Sequence, residues 1–492
     1  MLVVLFYAIT SRGYGYFRDE LYYLACGQHP AFGYVDQPPL VAILARLVRA
    51  TIGASLPALR LLPAFAAGLT VWMSMEMARF LGGGRWARAF AGLATALAPV
   101  YLSIFSIFTM NAFDIVFWTA AVWIAMRALA GGPDRLWLYF GLIFGIGLEN
   151  KWSPLFLGAG LFAGLLLARR GEVLRKRDFW LGWALAALLI LPNIIWEFAH
   201  GWPTLEFIAN ERSGKITLLA PPAFLGQLVL QAGPLALPLA VAGLVYFFTG
   251  RHTRRVRALG WAALAVIVIL TATHSKPYYV APIYAFVFAS GGVAMTALTP
   301  GGTGRIFRWL YVIVLVAGGL ALAPLAKPLL PVETYVRYSR TLGIHAEAGE
   351  REEVGRLPQF FADMFGWRDL ADTVAGVYRS LPSGDREHAC IMARNYGEAG
   401  AIDFFGAAMG LPHAISGHNS YWMWGPGDCT GQVVIVIGGS REELERRFES
   451  VTLATTFVCR NCMPYENNNP IWIAQGMRQP ASVLWATMRH YI

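Results

Sequence analysis

Apolar runs of roughly 20 residues recur through the first two thirds of the chain, separated by short arginine-rich loops, and they stop near residue 330. A run of that length, wound as a helix, crosses a hydrocarbon core. The pattern predicts spanning helices over 57–81, 86–108, 112–131, 135–150, 152–168, 178–198, 222–248, 257–273, 278–298 and 308–328. A shorter run at 1–10, MLVVLFYAIT, falls short of a span and lacks the basic flank and cleavage site of a signal peptide. It reads as a truncated helix, or as the mark of a start placed downstream of the true one. The count is about eleven spans, the first incomplete.

Beyond residue 330 the pattern changes to that of a small soluble α/β domain. VVIVIGG (433–439) reads as a buried strand, REELERRFES (441–450) as a charged helix and VTLATTFVC (451–459) as a further strand, a β-α-β signature. An earlier unit runs from HACIMA (388–393) through a glycine-containing turn into AIDFFGAAMG (401–410). The fold class is therefore a polytopic α-helical membrane protein with a C-terminal α/β domain. Residues 1–329 form the transmembrane domain, with a long first outer loop at 11–56, and residues 330–492 form the soluble domain.

Composition strengthens that reading. Charged residues make up 14% of the 492 positions and apolar ones 56%, whereas soluble domains carry roughly 25% charged residues. Seventeen Trp and 20 Tyr suit the two membrane interfaces. A soluble enzyme, a disordered scaffold and a disulfide-rich secreted domain are excluded. The formal charge of +10 is unevenly spread: Lys and Arg outnumber Asp and Glu by 26 to 12 over 1–330, but trail by 14 to 18 afterwards. The basic excess belongs to loops between spans, so it is not a sign of nucleic-acid binding. Arg79, Arg85 and Arg88, then Arg127 and Arg135, Arg169 to Arg177, Arg251 to Arg257, and Arg305 with Arg308 all fall in alternate loops. Retention of positive charge on the cytoplasmic side makes those loops cytoplasmic. It places 11–56, the loop around 109–111, 149–153, 199–221, 274–277 and everything after 329 on the extracytoplasmic face.

Four of the five cysteines, Cys390, Cys429, Cys459 and Cys462, lie in the tail. An oxidising compartment permits a disulfide there, with buried thiols as the alternative. The C-x-x-C of FVCRNCMPYEN lacks the further ligands of a zinc site, and Cys26 stands alone. No G-x-G-x-x-G or G-x-x-x-x-G-K-S/T spacing occurs, so ATP-driven transport has no support. No metal or other cofactor is indicated.

The charges that break the topological rule carry the chemistry. Of 40 basic residues five are lysines, and Lys151, Lys215 and Lys276 fall in outer loops, against the positive-inside bias. An ammonium is a compact partner for phosphate. Lys327, at the end of the last span, reads instead as a snorkelling anchor. Arg212 and Lys215 share NERSGK in a long outer loop, where a solvated loop is an equally good reading. Carboxylates gather on the same face: Asp19 and Glu20 in YFRDELYYLACGQ, Asp36 in GYVDQPPL, Asp114 just inside an apolar helix, and Glu149 in GLENKW. An ionisable group inside a span is costly and points to function. Asp19 and Glu20 project about 100° apart on a helix, so one of them at most faces a given pocket squarely. A helix cap is the bland alternative for Asp19. Charge placement by itself reaches an outward-facing site for an anionic lipid.

RDELYYLA (18–25), GYVDQPPL (33–40), the Asp114 helix start, GLENKWSP (147–154) and SKPYYVAPIY (275–284) occur in an order that resembles the C-type membrane glycosyltransferases of the protein O-mannosyltransferase and aminoarabinose-transferase superfamily. The resemblance covers residues 1–300 and extends to the span count and the outward tail. It implies a polyprenyl-phosphate sugar donor, a lipid, glycan or protein acceptor, and a cell-membrane enzyme acting on the extracytoplasmic face. By that likeness Asp19 is the general base or an acceptor-orienting group, Glu20 its partner and Asp114 the second-loop acid. By the same likeness Lys151 and Lys276 border the donor phosphate; the charge placement adds Arg212 or Lys215 as further phosphate contacts, and Asp36, Gln37 and Tyr278 are expected to position the acceptor or the loop. The aminoarabinose branch carries Lys before Pro-Pro where this chain has Asp36-Gln37, which argues against assigning that branch's sugar. The implied reaction inverts the anomeric centre. The rival reading is a transporter or flippase of an anionic lipid-linked sugar, which should show inverted repeats and paired interrupted helices.

Overall fold

The computed structural model describes residues 1–215, 217–346 and 350–492. The chain forms two compact units: Met1–Gly13, Pro57–Ile195 and Leu218–Pro331 make the first, and Tyr14–Leu56, Trp196–Thr217 and Val332–Ile492 the second. The segments Tyr14–Leu56 and Trp196–Thr217 thus pack with the tail, whereas the apolar pattern groups them with the spans. The reason is local: Leu40–Thr51 is a helix with one buried apolar face, whereas Arg18–Gln28 is buried on nearly all sides and lays Leu21 against Ala401 and Trp367 of the tail.

The first unit is a helical bundle. Among the described residues, six helices are long and apolar enough to cross a membrane: Leu56–Phe80, Met110–Leu129, Arg177–Ala199, Arg254–Ala272, Pro277–Leu298 and Gly301–Ala326. A seventh span arises if Pro221–Ala232 and Pro234–Thr249 count as one, although they meet at 89°. The expected number of spans is not reached on these criteria, and each difference has a cause. The span expected over 86–108 is two helices, Arg85–Leu97 and Pro99–Ile104, because Ala98 precedes proline and takes an extended ψ of 125°. The span expected over 222–248 turns at Gly233, whose φ of +90° suits glycine, just before Pro234. The runs at 135–150 and 152–168 give the shorter helices Leu136–Leu148 and Pro154–Leu167. The N-terminal run forms the helix Leu2–Ile9.

Small residues let these helices approach closely. A Cβ on Gly164 would lie 2.2 Å from the Ala258 carbonyl oxygen, and one on Gly291 would lie 2.0 Å from that of Leu239. Pro277–Leu298 is the buried centre of the bundle, while Arg177–Ala199 and Gly301–Ala326 leave most of their apolar surface exposed, as lipid-facing helices do.

In the second unit a five-stranded sheet runs in the order β2-β1-β3-β5-β4, with β1 Ala389–Ala393, β2 Ala414–Ser416, β3 Val433–Ile437, β4 Phe448–Phe457 and β5 Asn469–Met477. β1 pairs in parallel with β2 and β3, so the unit from β1 through the helix Tyr396–Phe405 to β2 is a true β-α-β crossover. The expected β3-helix-β4 unit is split instead: β5 inserts between the two strands, antiparallel to both. Its helix ends at Arg447, and β4 begins three residues before the expected start. β1 and β3 are buried throughout, matching their unbroken apolar sequence, and the core gathers Val434, Val436, Phe448 and Trp472. Disulfides join Cys390 to Cys429 and Cys459 to Cys462, and Cys26 is a buried free thiol.

Candidate functional site

Asp19 and Glu20 open the helix Arg18–Gln28, and their adjacency gives them opposite tasks. Glu20 is fully buried and its Oε2 accepts the Phe17 backbone N–H at 2.8 Å, closing the helix N-terminus. The capping role considered for Asp19 therefore belongs to Glu20. Asp19 keeps 29% of its side chain exposed. Its Oδ1 accepts the Tyr396 hydroxyl at 2.9 Å and lies 4.0 Å from Arg18 Nε. This carboxylate is oriented, and it is open to a substrate.

Arg18 ties that helix end to the rest of the second unit. Its Nη1 donates to the Tyr465 hydroxyl at 2.7 Å, its guanidinium lies 5.2 Å from the Tyr396 ring centroid, and its backbone N–H donates to the Asp363 carbonyl. The Asp363 carboxyl is buried, and burial pushes its pKa up to about 6 against the pull of the Arg18 charge, with Glu350 and Asp19 adding repulsion. Tyr396 is held from behind. Its backbone N–H donates to His418 Nδ1 at 3.3 Å, which leaves the ring proton on Nε2 to donate to the Ile492 carbonyl at 2.8 Å. Burial lowers the His418 pKa to about 3 and keeps the ring neutral.

Asp36 belongs to the same unit. Tyr22 donates its hydroxyl proton to Asp36 Oδ1 at 2.8 Å, and Ser420 Oγ lies 2.7 Å from that hydroxyl. Burial raises the Asp36 pKa to about 7; the Tyr22 hydrogen bond and the Lys215 charge act in the opposite sense, while Asp19 adds to the rise. Gln37 is buried, pairs its backbone with Tyr34 and directs Nε2 toward Cys26 Sγ, so it shapes the loop. Arg212 and Lys215 lie on a π turn, Glu211–Lys215. Arg212 is exposed, whereas Lys215 Nζ sits 3.4 Å from Glu350 Oε1 and its carbonyl accepts the Arg351 N–H at 2.9 Å. Lys215 is thus an anchored cation within electrostatic reach of Asp36 and Asp363.

The first unit holds the other group. Thr109 caps Met110–Leu129, and Asp114 sits in that helix almost fully buried, its carboxylate accepting the Ser153 hydroxyl at 2.6 Å. Trp118 Nε1 donates to the same Ser153 oxygen at 3.2 Å. Lys151 is also buried. Its Nζ donates to Asn111 Oδ1 at 2.6 Å and lies 4.0 Å and 5.5 Å from the ring centroids of Tyr279 and Tyr278. Two aromatic faces and an amide hold this ammonium in place. Lys276 is half-buried at the start of the turn Pro277–Val280 that carries both tyrosines. Glu149 caps the end of Leu136–Leu148.

The structure therefore joins Asp19, Asp36 and Lys215 in one unit and Asp114, Lys151, Lys276 and Tyr278 in the other. Sequence reasoning missed Tyr396, Tyr465, Asp363, Glu350, Asn111 and Ser153. Arg18 alone had a local signal, as a cation beside the Asp-Glu pair. Among the described residues no group of three His, Cys, Asp or Glu side chains is placed to hold a metal ion.

Comparison with known proteins yields a family model, a curated relative and solved structures. Residues 36–196 match the family model described as dolichyl-phosphate-mannose-protein mannosyltransferase. The lipid A galacturonosyltransferase RgtD of Rhizobium johnstonii is 26% identical over 274 residues, which cover 54% of this chain. The match spans 56% of that relative's length. ArnT from Cupriavidus metallidurans, solved bound to undecaprenyl phosphate and in the apo state, shares the fold with a TM-score of 0.61 at 14% identity, over 96% of both chains. In its sequence over 36–196 and in its fold over nearly its whole length, the chain is similar to the C-type polytopic membrane glycosyltransferases of the protein O-mannosyltransferase and aminoarabinose-transferase type.

Proposed function

We propose that the protein is a membrane glycosyltransferase that moves a sugar from a polyprenyl-phosphate donor to a lipid, glycan or protein acceptor on the extracytoplasmic face of the cell membrane. The observation that carries the reading is Asp19: a partly exposed carboxylate, oriented by Tyr396 and Arg18, beside an acid already engaged in capping. Asp19 takes the proton of an acceptor hydroxyl, and the freed oxygen attacks the anomeric carbon. The bond from that carbon to the phosphate oxygen breaks with inversion, and polyprenyl phosphate departs with the negative charge. Lys151, Lys276 and Lys215 stabilise that charge, with Arg212 as an outer contact. Asp36, Gln37 and Tyr278 position the acceptor and its loop, Glu20 supports the helix end, and Asp114 fixes the Ser153 turn next to Lys151. The reaction as written needs no metal. The family model, by its name, supports a polyprenyl-phosphate donor, and RgtD, by its name, makes lipid A with a galacturonosyl donor the first pair to assay.

One observation favours the rival transporter reading, the 89° break between Pro221–Ala232 and Pro234–Thr249. Transporters of that design carry such breaks in corresponding positions of two repeats, and among the described residues one bent pair meets the criteria. Purified protein in liposomes with an undecaprenyl-phosphate sugar and lipid A separates the two. Glycosylated acceptor and free undecaprenyl phosphate, formed equally with and without a chelator, support the transferase. Movement of intact donor across the bilayer with no product would establish the transporter.

A further inference from the structure

At the far end of the helices that carry Asp114 and lead to Lys151, the first unit contains a cavity of about 410 Å³. Its walls come from the last turns of Met110–Leu129 and the first turns of Leu136–Leu148. Arg127, Arg135 and Tyr139 line it together with the apolar side chains of Ile124, Leu142 and Ile143. Tyr139 and Leu142 are exposed. Arg127 lies 13 residues beyond Asp114 on one continuous helix, which at 1.5 Å per residue is about 20 Å.

Among the described residues neither Arg127 nor Arg135 makes an ion pair, and the neighbouring carboxylate, Asp134, is taken by Lys176. Arg135 also occupies the N-cap position of Leu136–Leu148, where helix N–H groups add positive potential. Two guanidinium groups above an apolar wall match a phosphate attached to acyl chains. Basic pockets between spanning helices bind anionic headgroups in this way.

We propose that this cavity is a binding site for an anionic glycerophospholipid, whose phosphate sits on Arg127 and Arg135 and whose acyl chain lies along Ile124, Leu142 and Ile143. A helix length separates it from Asp114 and Lys151, so it is a second lipid site, independent of sugar transfer.

The test uses the full chain in neutral detergent, with dioleoyl phosphatidylglycerol as probe, dioleoyl phosphatidylcholine as the uncharged-headgroup control, and lipid retention read by native mass spectrometry. Wild type retains phosphatidylglycerol over phosphatidylcholine. Arg127→Gln/Arg135→Gln weakens retention at least about tenfold, the scale of a lost charge-assisted contact, while Lys151→Ala and Arg175→Gln bind as wild type. Both arginines are exposed, and an unchanged melting temperature in the double variant confirms that the fold survives. Retention unchanged in the double variant, or lost equally in Arg175→Gln, overturns the proposal. Loss in Lys151→Ala alone would place the lipid at the other end of the helices and overturn it as well.

Discussion

Removing the Glu20 carboxylate should destabilise the second unit without removing the chemistry. Glu20 is fully buried and accepts the Phe17 N–H at 2.8 Å, so Glu20→Ala strips a cap and leaves a donor at the helix start without that partner. The lost cap costs about 0.5–2 kcal/mol, and an orphaned, poorly hydrated donor about 1–3 kcal/mol. These overlap, and relief of a buried carboxylate offsets part of them, so the net loss is about 1–2 kcal/mol. Glu20→Gln keeps an oxygen that can accept the same N–H and should lose less than half as much. The assay is the melting temperature of each variant in detergent, paired with sugar transfer at a temperature where all remain folded. The expected result is a lowered melting temperature in Glu20→Ala, near wild-type stability in Glu20→Gln, and turnover within a few-fold of wild type in both. Wild-type stability with turnover lost in both variants would refute the capping assignment and give Glu20 a chemical role.

Lys151→Ala should weaken donor binding by about 1.5–3 kcal/mol through loss of a charge-assisted contact, measured by titration with an undecaprenyl-phosphate sugar; unchanged affinity would make Lys151 a clasp for Asn111. The raised pKa of Asp36 means that the folded state holds a proton the unfolded chain has released, so stability from Asp36 falls as pH rises from about 4 to about 7 and is level above. Asp36→Asn should flatten that slope, worth about 1–3 kcal/mol after discounting its partial exposure, in melting temperatures read across the range; an unaltered slope assigns the dependence elsewhere. Reporter fusions at residues 420 and 175 should report extracytoplasmic and cytoplasmic locations respectively, and the reverse pattern would invert the topology.

Long spans were legible where packing and composition agree. Leu56–Phe80 and Arg177–Ala199 match their apolar runs within a residue or two, even though Pro63 and Pro192 lie inside them. Proline alone therefore does not forecast a break. Pro99 ends one helix and begins another, and Pro234 breaks a run only because Gly233 ahead of it adopts a positive φ. The split between β3 and β4 was hidden because β5, which separates them, follows both in the chain. In the site, Lys151 and Lys215 were visible as cations on the wrong side of the loop pattern, and Asp19 as one of the carboxylates gathered on the same face. Their division of labour was not. Phe17 is an atypical N-cap, so nothing local marks Glu20 as the residue that closes the helix start. Arg18 meets Tyr465 across 447 residues and Tyr396 meets Asp19 across 377, contacts that no local spacing encodes.

The most direct test is the turnover of Asp19→Asn with a polyprenyl-phosphate sugar and a hydroxyl acceptor, measured beside its melting temperature and donor affinity. Asparagine keeps an oxygen for the Tyr396 hydroxyl, so the fold and donor binding should match wild type. It cannot take up the acceptor proton, and turnover should fall about 10²–10⁴-fold. Turnover within a few-fold of wild type, in a variant that binds donor normally, would contradict the assignment of Asp19 as the base.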